Sequence, residues 1–156
     1  MRSIWLAMLC SVLLAACAAN PPKHDAAPAS KAATASKSSD RLYRALGGDA
    51  GIAKVVDASL AEIHGDLRIN ILFEKTDLAD LRRLLIEQLC EATGGPCKYT
   101  GRSMEEAHSG LNLTDADFDA FVDDLVRAMD SVGVAKNLQK ELLGLLGPMR
   151  PQVVGQ

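Results

Sequence analysis

The sequence predicts an all-α protein built around one hydrophobic core. Three observations support this prediction. The 156 residues suffice for one core, four segments repeat apolar residues at helical spacing, and no segment alternates apolar with polar residues as a half-buried strand does. We expect the folded domain over residues 40–150, followed by a short tail over residues 151–156.

The first predicted helix covers about residues 49–65. The pair Gly47-Gly48 can turn the chain sharply at the start of this helix. Its apolar residues recur at helical spacing, which predicts one buried face: Val55, Val56, Leu60 and Ile63.

The second predicted helix begins after Asp77, a good N-cap residue, and ends at the breaker Gly94-Gly95-Pro96. Its face that we expect to point inward consists entirely of leucine: Leu78, Leu81, Leu85 and Leu89.

The third and fourth predicted helices follow Thr114 and cover about residues 135–146. Asp117 lies three residues after Thr114, so the third helix begins with a pattern close to a capping box. The apolar residues of the third helix are Phe118, Phe121, Val122, Leu125, Met129 and Val132, and those of the fourth are Leu138, Leu142, Leu145 and Leu146.

A long loop from Cys97 to Asn112, with at most a short helix, separates the second helix from the third. Loops of this length in a compact domain usually have a function. The loop contains His108, although a single histidine taken alone is more often a surface or hydrogen-bonded residue than a ligand. Of the other two histidines, His24 precedes the domain and His64 lies near the end of the first helix.

The segment "GGPCKYTGRSMEEAHSGL", residues 94–111, resembles the truncated haemoglobins, specifically their group 1. The segments "LYRALGG" and "RINILFEKTDL" add to this resemblance, which spans about residues 41–150. It implies a two-over-two helical sandwich that binds haem b. The sequence contains no Cys-x-x-Cys-His motif for covalent attachment, so we expect the haem to be bound noncovalently.

The resemblance also implies roles for individual residues. His108 would be the proximal ligand of the iron, Met104 would pack under the porphyrin, Tyr99 would reach towards a propionate and Phe73 would stack on the distal side. A flat apolar porphyrin needs large hydrophobic side chains around it. The full set of expected haem contacts is Leu60, Leu72, Phe73, Leu81, Leu85, Leu89, Tyr99, Met104, His108 and Leu142.

The distal side departs from the family pattern. The family usually has a tyrosine on the first helix and glutamines on the second, where this chain has Leu60, Leu81 and Leu85. Dioxygen on iron gains from a hydrogen-bond donor, whereas carbon monoxide gains much less, so we expect weak retention of dioxygen. Ser59 or Gln88 would supply a donor if the alignment is shifted by one residue, and His64 is a further candidate to approach the iron.

The N-terminal segment predicts export. Residues 1–16 combine Arg2 with an apolar run too short to span a membrane, as in a secretory signal peptide. The run ends in Leu14-Ala15-Ala16-Cys17, which resembles the lipobox of bacterial lipoproteins; an ordinary signal peptide cut nearby is the alternative. Residues 17–39 would then be a lipidated, disordered tether, since they contain almost no large apolar residues.

These features predict a lipoprotein that faces the periplasm and is attached to the membrane through lipid on Cys17. Ala18, the residue after Cys17, resembles the signal for sorting to the outer membrane. Cys10 would be removed with the signal peptide, so Cys90 and Cys97 are the remaining pair of cysteines. Their spacing is not that of a zinc motif. Export makes a disulfide between them possible, and two unlinked thiols are the alternative.

Charge excludes one class of partner. The whole chain has a formal charge of −3, and the folded part carries about −6 because the preceding residues are net basic. Nucleic acids require clustered positive charge, so we do not expect them as partners.

Three functions remain open from the sequence. The first is a haem protein that binds the diatomic gases oxygen, carbon monoxide and nitric oxide at the cell envelope, with an unknown redox partner. The second is a haem enzyme that detoxifies nitric oxide or peroxide, although an apolar distal side disfavours proton transfer there. The third is a haem-free structural lipoprotein.

Overall fold

A computed structural model of the protein describes residues 39–156. The predicted signal peptide, Cys17 and all of the tether except Ser39 lie outside the described residues. Within them the chain forms six α-helices, two 3₁₀ helices and no β-strand. The α-helices are α1 (Arg41–Ala45), α2 (Gly48–Gly65), α3 (Leu78–Ala92), α4 (Met104–His108), α5 (Asp115–Ser131) and α6 (Lys136–Leu146), and the 3₁₀ helices are Asn70–Phe73 and Gly147–Gln152.

The long helices pack as two pairs. Helix α2 has its most extensive contacts with α5 and α3, while α6 lies beside α5 and α1. The pair formed by α2 and α3 therefore packs over the pair formed by α5 and α6, which is a two-over-two sandwich of helices. The prediction of an all-α protein is confirmed, and the four predicted helices correspond to α2, α3, α5 and α6.

The helices begin where local chemistry predicts. Gly47 and Gly48 have φ values of +96° and +63°, a left-handed conformation that glycine adopts without strain. The Asp77 side chain accepts from the backbone N–H groups of Ala79 and Asp80, at 2.9 and 3.1 Å, and caps α3. At the start of α5, the side chains of Thr114 and Asp117 form a complete capping box.

The main core joins α1, α2, α3, α5 and α6. Its largest fully buried side chains include Met129 and Leu142, which are 0% exposed. The buried members of this core are Leu42, Leu46, Ile52, Val55, Val56, Leu89, Cys90, Leu125, Met129 and Leu142.

The apolar stripes of α3 and α6 are shorter than predicted. Leu78 is 50% exposed because it is the first residue of α3, where the side chain tilts towards the helix start and away from the core. Leu145 is 41% exposed because it lies about 60° around α6 from the buried Leu142. The expectation that Leu78 points inward is therefore wrong, and Leu145 lies outside the buried face of α6.

The C-terminal residues pack back onto the domain. The Gly155 N–H donates to the Leu113 carbonyl oxygen at 2.9 Å, and the Asn112 N–H donates to the Gln156 carbonyl oxygen at 3.0 Å. Val153 is buried. These bonds hold the loop that follows α4. In residues 39–156, no helix is both long and apolar enough to cross a membrane.

Candidate functional site

His108 is the last residue of α4, a five-residue helix with a well-formed start. Ser103 Oγ accepts from the Glu106 N–H at 3.2 Å, and the Glu106 carboxylate accepts from the Ser103 N–H at 3.1 Å. This capping box satisfies backbone N–H groups that a short helix otherwise leaves unpaired. The single turn that follows carries His108 to a half-buried position.

The imidazole of His108 is oriented by its own helix. Its Nδ1 lies 2.7 Å from the carbonyl oxygen of Met104. Because a carbonyl oxygen can only accept, Nδ1 carries the proton, and in the neutral ring Nε2 has a free lone pair. A hydrogen bond of this kind fixes the tautomer of metal-binding histidines and raises their basicity. His108 can therefore offer Nε2 as a metal ligand.

The segment before α4, residues 97–103, lies along α3, and we call it the strap. Two glutamates of α3 hold its backbone. The Tyr99 N–H donates to the Glu91 carboxylate at 3.0 Å, and the Thr100 N–H donates to the Glu87 carboxylate at 3.0 Å. The Thr100 hydroxyl donates to the same Glu87 oxygen at 2.6 Å. These bonds set the position from which α4 starts.

The Glu87 carboxylate also receives a charged donor. Arg83 Nη1 lies 2.7 Å from Glu87 Oε1 and 2.9 Å from Thr100 Oγ1. The hydrogen bonds from Thr100, and then the Arg83 guanidinium, hold the pKa of Glu87 below its usual value. Glu87 is therefore ionised at neutral pH, which is the form that accepts all of these bonds.

Tyr99 folds over the strap backbone at Gly101. A Cβ added at Gly101 would lie 2.2 Å from the Tyr99 hydroxyl oxygen, so the position admits only glycine without movement of the ring. Burial raises the pKa of Tyr99, the charge of Arg102 lowers it and the charge of Glu87 raises it again. The net effect is a raised pKa, so the phenol keeps its proton and can donate a hydrogen bond at neutral pH.

A cavity of about 410 Å³ lies between α3, the strap, the start of α4 and the C-terminal 3₁₀ helix. Tyr99, Met104, Gln88 and Met149 are among its lining residues, and His108 is not. The Gln88 amide nitrogen lies 3.4 Å from Met104 Sδ and 3.6 Å from Met149 Sδ. A second cavity of about 470 Å³, beside the last turn of α2, contains none of the predicted site residues.

The disulfide between Cys90 and Cys97 ties the start of the strap to the end of α3. Cys90 is fully buried in the main core, and Cys97 is half-buried. The bond adds a covalent link at the end of α3 next to the hydrogen bonds of the two glutamates.

Most of the predicted apolar contacts belong to one of two clusters. Leu60 and Leu85 are half-buried and pack against the main core. Leu72 and Phe73 pack against a second, smaller cluster formed by α2, the following loop and α5. The remaining three differ in burial: Leu81 is half-buried, and Leu89 and Leu142 lie within the main core.

The three alternative distal candidates differ in their surroundings. Ser59 is buried, and its hydroxyl donates to the Val55 carbonyl oxygen of its own helix at 2.8 Å. A serine hydroxyl has one proton, so no donor remains. The Gln88 amide faces the two methionine sulfurs near α4, and His64 is exposed at the end of α2.

Sequence reasoning missed the residues that hold the strap. Glu87 and Glu91 are four residues apart and so share one face of α3, but no local pattern shows which backbone they contact. The capping box of α4 did have a signal, since Ser103 and Glu106 form the pattern Ser-x-x-Glu.

Comparison with known proteins identifies the fold and the family. The model of the bacterial-like globin family matches residues 41–154. The group 1 truncated haemoglobin GlbN of Nostoc sp. (strain MUN 8820) is 34% identical over 115 residues, which cover 74% of this chain and 98% of that protein.

Solved structures agree. The truncated haemoglobin of Tetrahymena pyriformis in its Fe(III) form gives a TM-score of 0.71 at 28% identity, covering 74% of this chain and 98% of that one. The 2/2 haemoglobin of Synechococcus sp. PCC 7002, solved in the cyanomet state with covalently attached haem, gives 0.69 at 30% identity with the same coverage. The chain therefore belongs to the bacterial-like globin family, and within it to the group 1 truncated haemoglobins.

Proposed function

We propose that the protein binds haem b noncovalently and that His108 Nε2 is the proximal ligand of its iron. The observation that carries this proposal is the hydrogen bond from His108 Nδ1 to the Met104 carbonyl oxygen, which leaves Nε2 as the ring nitrogen that can bind a metal. The donor chemistry fits haem iron, for which histidine is the ligand in globins. Membership of the truncated haemoglobins supports the same assignment.

Other side chains would hold the porphyrin. Met104 precedes His108 by one turn and offers a soft apolar surface, and the protonated Tyr99 hydroxyl is suited to a propionate. We assign Phe73, Leu72, Leu60, Leu81 and Leu85 to the apolar lining. The sequence contains no Cys-x-x-Cys-His motif, so it lacks the cysteines that attach haem covalently through such a motif.

Haem iron supplies the reversible bond to a diatomic gas. We propose that Leu60, Leu81 and Leu85 leave the gas without a hydrogen-bond donor. The engagement of Ser59 with Val55 supports this, because it removes the hydroxyl nearest to Leu60 in the sequence. A charge-assisted hydrogen bond is worth about 1.5–3 kcal/mol, so its lack lowers dioxygen affinity by roughly ten- to a hundredfold. The protein would then bind carbon monoxide readily and release dioxygen quickly.

Absorption spectra of ferric, ferrous and carbon monoxide forms test the proximal assignment. His108→Ala should lose haem or retain it weakly, whereas His64→Ala, at an exposed histidine, should keep a parental Soret band. Circular dichroism of both variants checks that the helices remain. An unchanged spectrum in a folded His108→Ala variant would show that the ligand is another residue.

The distal assignment is tested by the rate of dioxygen release. Leu60→Tyr should slow release by roughly ten- to a hundredfold by adding a donor, and Leu60→Phe, which adds a ring of similar size without a hydroxyl, should not. Slow release from the parental protein would show that a donor is already present.

We also propose that the globin domain is attached to the periplasmic face of the cell envelope through lipid on Cys17. The sequence Leu14-Ala15-Ala16-Cys17 at the end of an apolar run supports this, and so does the composition of residues 17–39. The alanine at position 18, directly after Cys17, supports sorting of the lipoprotein to the outer membrane.

A further inference from the structure

The Cys90–Cys97 pair has a carboxylate beside it. Asp49 Oδ1 lies 3.7 Å from Cys97 Sγ and 3.9 Å from Cys90 Sγ. Asp49 comes from the first turn of α2, so the fold brings it to the end of α3 from another helix. In the part of the chain from residue 39 onwards, these three side chains form a group of potential metal ligands whose ligand atoms all lie within 4.8 Å of one another.

We propose that Cys90, Cys97 and Asp49 bind Zn²⁺ when the disulfide is reduced, with water as the fourth ligand. Thiolate sulfur and carboxylate oxygen are established zinc ligands, and three protein ligands with one water complete a tetrahedral site. The disulfide and the metal exclude each other because both use the two sulfur atoms.

The geometry is already close to that of a zinc site. Zn–S bonds of about 2.3 Å and Zn–O bonds of about 2.1 Å in a tetrahedron place sulfur and oxygen about 3.6 Å apart, and the two sulfurs about 3.8 Å apart. Both observed sulfur-to-oxygen distances lie within a few tenths of an ångström of this separation. The two sulfurs must move apart, which requires that their bond is broken.

The start of α2 lies beside the proposed site. Asp49 lies in the first turn of α2, an 18-residue helix whose N-terminus favours negative charge. The Tyr43 hydroxyl donates to Asp49 Oδ1 at 2.8 Å and orients the carboxylate, and the second lone pair of Oδ1 remains for a metal. Cys90 is buried whereas Asp49 is exposed, so an ion can approach from the side of Asp49.

Reduction of the disulfide and binding of zinc require no further group from the protein. A dithiol reductant gives two electrons and two protons to the disulfide, which becomes two thiols, and the reductant becomes a disulfide itself. Zinc binding then releases the two thiol protons to solvent. The site consists of these residues alone, so it does not depend on the proposed haem function.

Zinc stoichiometry tests the proposal. The haem-loaded protein is prepared with Cys10→Ser and Cys17→Ser, so that Cys90 and Cys97 are its only cysteines. Reduced and oxidised samples are mixed with Zn²⁺, desalted and analysed for zinc by mass spectrometry, and the affinity is measured by competition with a chromogenic chelator.

We expect one zinc per reduced chain and none per oxidised chain. Cys97→Ser should abolish binding, and Asp49→Asn should weaken it by about tenfold or more. Asp57→Asn, an exposed aspartate on the same helix, is the matched control and should bind zinc like the parent. The proposal is overturned if the reduced protein retains no more zinc than Cys97→Ser, or if Asp49→Asn binds zinc as tightly as Asp57→Asn does.

Discussion

Reduction of the Cys90–Cys97 bond should destabilise the domain by an amount that its loop length sets. The two cysteines are seven residues apart, and the chain-entropy model gives about 2.4 kcal/mol for closing so short a loop in the unfolded chain. For a domain of this size, that corresponds to a fall in the melting temperature of roughly 10 °C. Reduction is preferable to substitution because it removes neither sulfur atom, and Cys90 is fully buried in the core.

The assay is thermal unfolding followed by circular dichroism, with and without a dithiol, in the background that lacks Cys10 and Cys17. A strong chelator is present so that no metal replaces the disulfide. The Cys97→Ser variant cannot form the bond, so its melting temperature should not respond to the dithiol. A fall of less than about 3 °C in the parent, or an equal fall in Cys97→Ser, would refute the loop-closure argument.

Two further predictions concern the core and the anchor. Leu142→Ala should lower the free energy of unfolding by about 3–5 kcal/mol, because Leu142 is 0% exposed. Leu145→Ala, at a 41% exposed position of the same helix, should lower it by about 0.5 kcal/mol or less. Urea unfolding measures both values. Cys17→Ala should release the protein from membranes or stall its processing, as measured by detergent partition, and unchanged membrane attachment of that variant would contradict the lipid anchor.

The long helices were predictable because their signals are local. The cap of α3 is a single aspartate, and the cap of α5 is a pair three residues apart. Which leucines become buried depends on where each helix meets its neighbours. Sequence spacing does not contain that information, so Leu78 was expected to point inward and is exposed.

The site was predictable only in part. The resemblance of residues 94–111 to a family motif singled out His108, but the bond that fixes its tautomer is a property of the folded turn. The pairing of Glu87 with Thr100 joins a helix to a loop, and the approach of Asp49 to the disulfide joins residues 41 positions apart. Tertiary packing alone creates such contacts, so no periodicity reveals them.

The link between Glu87 and the strap should make stability depend on pH in the acid range. Hydrogen bonds from Thr100 hold the pKa of Glu87 below its ordinary value of 4.5. A depressed pKa in the folded state contributes stability that is fully present above 4.5 and is lost as the pH falls through the lower folded value. Glu87→Gln cannot ionise, so it lacks this contribution at every pH.

The difference in stability between the parent and Glu87→Gln should therefore be largest at pH 6 and shrink as the pH falls below 4.5. Urea unfolding at pH 6 and at pH 3 measures it, with Glu74→Gln as a control at an exposed glutamate that precedes α3. The difference in stability between the parent and Glu74→Gln should show no comparable change between the two pH values. The acidic residues that both proteins share contribute equally to each and cancel in this difference. A gap for Glu87→Gln that stays constant from pH 6 to pH 3 would mean that the charge of Glu87 does not hold the strap, and that the disulfide and the bond from Tyr99 to Glu91 suffice.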